Sequence, residues 1–159
     1  MLDFKKISVS LIFICWFSYL IYNYDKWTQK LFICILTASI FACIESTYRK
    51  IFINSCKTTV VQFISNMIYA PIMIEFYNYL FPDLIINTIF FPFNCWVYEI
   101  VLGYYLIYLY GENVAWGYDP TSSFVFFQNN VDLRFYPCWI CLCLFKEWML
   151  RQVLVGYIN

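Results

Sequence analysis

Two glutamates sit inside long apolar runs of this chain, and that placement makes them its first candidates for chemistry. Glu99 is the only charged residue between Leu84 and Tyr110. Glu75 interrupts a run that is uncharged from Thr58 to Ile74 and apolar again to Phe81. At the centre of a bilayer a charged side chain costs on the order of 2.5–3.5 kcal/mol on insertion scales. A glutamate held there must be neutral, be paired, or face a wet cavity. Twelve residues separate Glu99 from Gly111, about 18 Å of helix, which sets it near mid-membrane. Asn94 lies five residues before it and Gly103 four after. Gly103 therefore shares its helical face and would let another helix approach closely. Glu99, Glu75 and Asn94 form the candidate intramembrane polar site. A plainer account has each glutamate near a headgroup, or hydrogen-bonded to Asn, Tyr or backbone. Glu75 suits that account better than Glu99, because Pro82 ends its helix about two turns later. Glu45 is expected to mark the end of its own helix, with Arg49 four residues on as its partner.

Little else in the chain carries chemistry. Histidine is absent, which removes the usual general base near neutral pH and the commonest imidazole metal ligand. Among eight cysteines, Cys138 and Cys141 have C-x-x-C spacing, but no second pair completes the four ligands a zinc ion takes. The cysteines are expected to act as small hydrophobes, with Cys56 beside Lys57 a candidate for S-acylation. There is no G-x-x-x-x-G-K-[ST], G-x-S-x-G or H-E-x-x-H motif, so no ATPase, serine-hydrolase or zincin chemistry is expected. No metal and no cofactor are expected either. Lys plus Arg and Asp plus Glu both number 10, leaving no basic excess for a nucleic-acid partner.

The helices that carry these residues follow from composition. Hydrophobic residues make up 63% and charged residues 13%, against a usual charged share of about 25%. So few polar side chains cannot cover a water-soluble globule of 159 residues. The expected fold is all-α, a polytopic transmembrane helical bundle forming a single integral membrane domain, with the lipid bilayer as its partner. A span takes roughly 20 apolar residues. That spacing predicts about five spans, within a range of four to six, near 7–24, 31–48, 58–81, 84–110 and 135–157, with a polar loop at 111–134. The first run ends in Tyr19, Tyr22, Tyr24 and Trp27 with no small-residue cleavage site after it, as a retained span with an aromatic belt would. The 84–110 run is too long for one simple span and is expected to break near Pro92, or to cross as a kinked, tilted helix. The last run serves as a span only if Lys146, Glu147 and Arg151 lie near an interface, where long side chains snorkel. Five spans would put Lys5, Lys6, Arg49, Lys50, Lys57 and Arg134 on one side, and Lys26, Lys30, Lys146 and Arg151 on the other. That count favours a cytoplasmic N-terminus.

The C-terminal half carries a recognisable pattern. Trp96, Glu99 and Gly103 form W-x-x-E-x-x-x-G, followed by Trp116 and Tyr118, a short loop, Leu133, and a final helix bearing Trp139. Over about 60 residues this resembles the transmembrane protein 229 family and the bacterial ABC-transporter type IV family. Gly117 stands where those families have an aspartate, and Asp119 lies two residues on. The resemblance implies a small polytopic membrane protein of unsettled activity, and it does not extend to the first 80 residues.

Physically, Trp116 and Tyr118 suit a headgroup interface, and Asp119-Pro120 favours a turn. The loop is expected to fold back as a hairpin above Glu99, either as a structural cap or as a lid over a polar cavity. The expected function is that of a non-catalytic bundle, permease-like or assembly component, acting as a homo-oligomer or with other membrane subunits. Two alternatives stand beside it. One is a proton- or ion-coupled transporter subunit using Glu99. The other is a membrane-embedded enzyme acting on a lipid or isoprenoid, with Glu99 as general acid and Asp119 as a second polar group.

Overall fold

Three of the helices start where short polar side chains cap them. Asp3 accepts from the backbone N–H groups of Lys5 and Lys6, Thr59 from that of Gln62, and Asp83 from those of Ile85 and Ile86, satisfying donors a helix start leaves free. In the computed structural model, which describes residues 3–54 and 58–158 without the side chains of 53 and 153–158, the chain is an all-α bundle. Cys56 and Lys57 lie outside the described residues. The long helices are α1 (Phe4–Tyr22), α2 (Trp27–Ile53), α3 (Val60–Leu80), α4 (Leu84–Tyr110) and α5 (Tyr136–Ile158). Four of them, α1 to α4, are long and apolar enough to cross a membrane. The fifth carries Lys146, Glu147 and Arg151 along its length.

Two prolines sit inside helices with opposite results. α4 passes through Pro92 as one unbroken helix, so the expected break is absent. Proline removes one backbone donor, but Phe91 and Pro92 are fully buried, and neighbouring helices hold the turn in place. Pro71 in α3 is followed instead by a π turn, Ile72–Phe76, in which the N–H of Tyr77 reaches back to Ile72. The wider turn carries Glu75. At the end of α4, Gly111 takes φ 87° and donates its N–H to Ile107, a left-handed stop that favours glycine.

Trp139 anchors the core, stacked on Phe41 at 4.9 Å and facing Phe135 at 5.8 Å. The outward face of α4 is apolar for most of its length. Ile85, Ile89, Phe93, Val97 and Val101 recur every fourth residue, and all are exposed. Such a continuous stripe on a helix suits contact with hydrocarbon rather than water. Between α4 and α5 the chain forms a small antiparallel hairpin, β1 (Val125–Phe126) and β2 (Val131–Asp132), with Val125 opposite Asp132 and Phe126 opposite Val131. Its turn runs through three consecutive positive-φ residues, Phe127, Gln128 and Asn129.

Candidate functional site

Glu99 projects from the inner face of α4 and is 4% exposed. One turn on, Gly103 leaves a notch filled by the side chain of Asn130, which a Cβ at that position would strike. The glycine therefore admits a loop side chain, not the neighbouring helix expected from its spacing. Asn130 is held on both sides. Its Oδ1 accepts from Asn113 Nδ2 at 2.8 Å, and its carbonyl accepts from Trp116 Nε1 at 2.9 Å. Asn113 in turn accepts from the N–H groups of Ala115 and Trp116, and Thr59 donates to the Ala115 carbonyl.

These bonds draw the 113–118 segment into the bundle. The Tyr118 hydroxyl then donates to Glu99 Oε1 at 2.6 Å. Trp116 and Tyr118 are thus buried, and the expectation that they anchor at headgroups is corrected. Their polar atoms find partners inside the protein, and the Tyr118 ring packs on Phe135 at 5.1 Å. Burial, and then the neighbouring Glu99 carboxyl, push the Tyr118 phenol well above its ordinary range, so it remains a donor.

The Arg49 guanidinium lies 5.1 Å from the Tyr118 ring centre, within cation–π distance. Its Nε and Nη2 both stand 2.8 Å from Glu45 Oε1. The other Glu45 oxygen accepts from Gln62 on α3. Glu45 does not end its helix, since α2 continues to Ile53. The pair is buried within the helix, where each partner neutralises the other. Glu99 makes no salt bridge among the described residues, with Arg49 acting on it only from beyond contact, and its Oε2 has no hydrogen-bond partner among them. The arrangement thus offers Glu99 one donated hydrogen bond in a buried setting.

Glu75, Asn94 and Glu99 do not converge. Glu75 accepts from the Tyr19 hydroxyl at 2.6 Å and pairs with Lys30. The Asn94 side chain accepts from Tyr69, whose ring stacks on Tyr98 at 3.9 Å. Five residues before Glu99, Asn94 lies about 140° away around the helix, which explains the separation. Asp119 is exposed, and the Thr121 hydroxyl and N–H hold its carboxyl below the usual range. Of the remaining motif positions, Trp96 packs near Phe93 and Tyr136, Leu133 is exposed, and Trp139 is core. Cys138 is buried and Cys141 exposed, so the C-x-x-C pair is split between environments.

Sequence reasoning missed a second polar cluster at the far end of α3. Lys146 on α5 is 2% exposed, held inside the protein rather than extended outward. Its Nζ donates to Asn78 Oδ1 at 2.8 Å and stands 3.0 Å from Glu147. Asn87 donates to the same Asn78 oxygen and to the Phe81 carbonyl. The available signal was the pair of asparagines flanking the Pro82 turn. No protein-family model matches the chain, and neither does any curated protein or solved structure.

Proposed function

We propose that this is a non-catalytic, multi-pass integral membrane protein in which the 111–134 loop is latched as a fixed cap on one end of the bundle. Its role is that of a bundle, permease-like or assembly component, with the bilayer and other membrane subunits, or further copies of itself, as partners. The resemblance to the transmembrane protein 229 and ABC-transporter type IV families supports the same reading. The observation that carries it is the bond from Tyr118 to Glu99 between two buried side chains. A transporter using Glu99 calls for a wet cavity shared with a second acid, whereas Glu75 is committed to Lys30 and Tyr19. A lipid-modifying enzyme calls for an acid open to substrate, and Asp119 is taken up by Thr121.

The test uses the full chain in liposomes loaded with a pH-sensitive dye. The expected result is proton flux no greater than that of empty liposomes, for wild type and Glu99→Gln alike. Chymotrypsin should then cut the exposed Phe124 and Phe127 faster in Tyr118→Phe than in wild type. Wild-type proton flux that Glu99→Gln abolishes would overturn the structural role in favour of transport.

A further inference from the structure

α1 is pinned to its neighbours near both ends and lines an open groove between Val9 and Phe13. Near its start, Lys5 Nζ donates to the Leu109 carbonyl at 3.1 Å, and Ser8 Oγ shares a 2.8 Å hydrogen bond with the Tyr105 hydroxyl. Near its end, Tyr19 reaches Glu75. Between these pins a groove of about 550 Å³ opens among α1, α3 and α4, a size typical of ligand sites. Ile12, Phe13, Ile64, Ile68, Val101 and Leu102 represent its walls, and its few polar groups are Ser65 and tyrosine hydroxyls. The groove opens outward, with Ile12, Ile72, Val101 and Tyr110 exposed, so in a bilayer its apolar walls face hydrocarbon chains.

The groove runs from Val61 to Ile72 on α3 and from Tyr98 to Tyr110 on α4, about 17 Å of helix. One leaflet of a hydrocarbon core about 30 Å thick is roughly 15 Å deep, so the length matches one acyl chain. At the mouth, beside the end of α4, stands Lys5. Its ammonium spends one of three hydrogens on Leu109, lies 5.3 Å from the Tyr108 ring centre, and has no carboxylate partner among the described residues. Lys6 is paired with Asp3. We infer that the groove holds one acyl chain of an anionic phospholipid, with the Lys5 ammonium meeting the headgroup phosphate. The inference rests on the helices crossing a bilayer.

The test is native mass spectrometry of the full chain in mild detergent, with equal phosphatidylglycerol and phosphatidylcholine of matched chains. Wild type should retain phosphatidylglycerol in preference by roughly fivefold, the ratio expected of one lysine near an anionic surface. Lys5→Gln should bring that ratio to about one. Val101→Trp, at a groove position 65% exposed, should lower retention of both lipids while leaving helicity by circular dichroism unchanged. Equal retention by wild type, a preference that survives Lys5→Gln, or full retention by Val101→Trp would each overturn the inference. So would a dimer, without lipid, that Val101→Trp dissolves, because a second copy would then fill the groove. Extraction from membranes by alkaline carbonate would sink the bilayer reading itself. A chain retained in membranes without headgroup preference overturns only the lipid site.

Discussion

The Tyr118 hydroxyl and Glu99 Oε1 stand 2.6 Å apart across 19 positions of sequence, tying a connecting loop to the middle of an apolar helix. The bond completes a chain of buried contacts that begins with Gln62 and Glu45 and passes through Arg49 to the Tyr118 ring. Each member fixes the next, so the cap and the helices beneath it should fail together.

Tyr118→Phe removes the donor and keeps the ring. Leaving a buried carboxyl without its partner costs about 1–3 kcal/mol. Thermal unfolding in detergent should show that loss. Glu99→Gln should cost less, because an amide oxygen accepts from Tyr118 and no cation is stranded. The double variant should fall short of the summed single losses by 0.5 kcal/mol or more, as expected of residues in direct contact; additive losses would mean the bond is not formed.

Gly103→Ala tests the notch. An alanine would ordinarily favour a helix interior by about 1 kcal/mol, but here its methyl meets Asn130. Overpacking of that kind costs about 1–3 kcal/mol, so the melting temperature should drop. Adding Asn130→Ala should relieve the clash. A Gly103→Ala variant more stable than wild type would show that the loop does not press on α4.

Breaking the Glu45–Arg49 pair from one side should be worse than removing it whole. A stranded buried charge costs about 3–5 kcal/mol, so Glu45→Gln or Arg49→Met alone should unfold the chain at lower denaturant. Combining the two should recover most of the loss. Equal midpoints for single and double variants would place the pair in contact with water.

Alkali should loosen the cap. The Tyr118 phenol is raised above its unfolded value, which is about 10. Its contribution is complete below that pH and is lost as pH rises through the folded value. Chymotrypsin cleavage at Phe124–Phe127 should accelerate above about pH 10, and the pH dependence should be weaker in Tyr118→Phe. Asp119 works in the opposite sense. Its lowered value lends support above about pH 4, and that support is lost as pH falls through the folded value.

Helical runs and their all-α assembly were legible because uninterrupted apolar stretches of about 20 residues leave a backbone in lipid few alternatives. The spacing of Glu45 and Arg49 disclosed their pairing, but spacing is blind to depth, and burial emerged only from what α3 and the loop lay over them. Tyr118 was read as a headgroup anchor because an amphipathic ring suits either an interface or a satisfied interior. Which one it occupies depends on Asn113 and Asn130, whose roles have no local signature. Pro71 and Pro92 look alike in sequence, and tertiary contacts decided that one would widen its helix and the other would not.

The π turn after Pro71 inserts one residue into the winding of α3, shifting the phase of everything beyond it by about 100°. Upstream, Gln62 addresses Glu45 on α2; downstream, Asn78 addresses Lys146 on α5. Plain helix would set these two side chains about 160° apart around the axis, and the extra residue brings them to about 60°. Excising one residue from that stretch would restore plain α-helix and leave Asn78 facing its lysine, whereas tightening the turn with its full length kept would swing Asn78 away by about 100°.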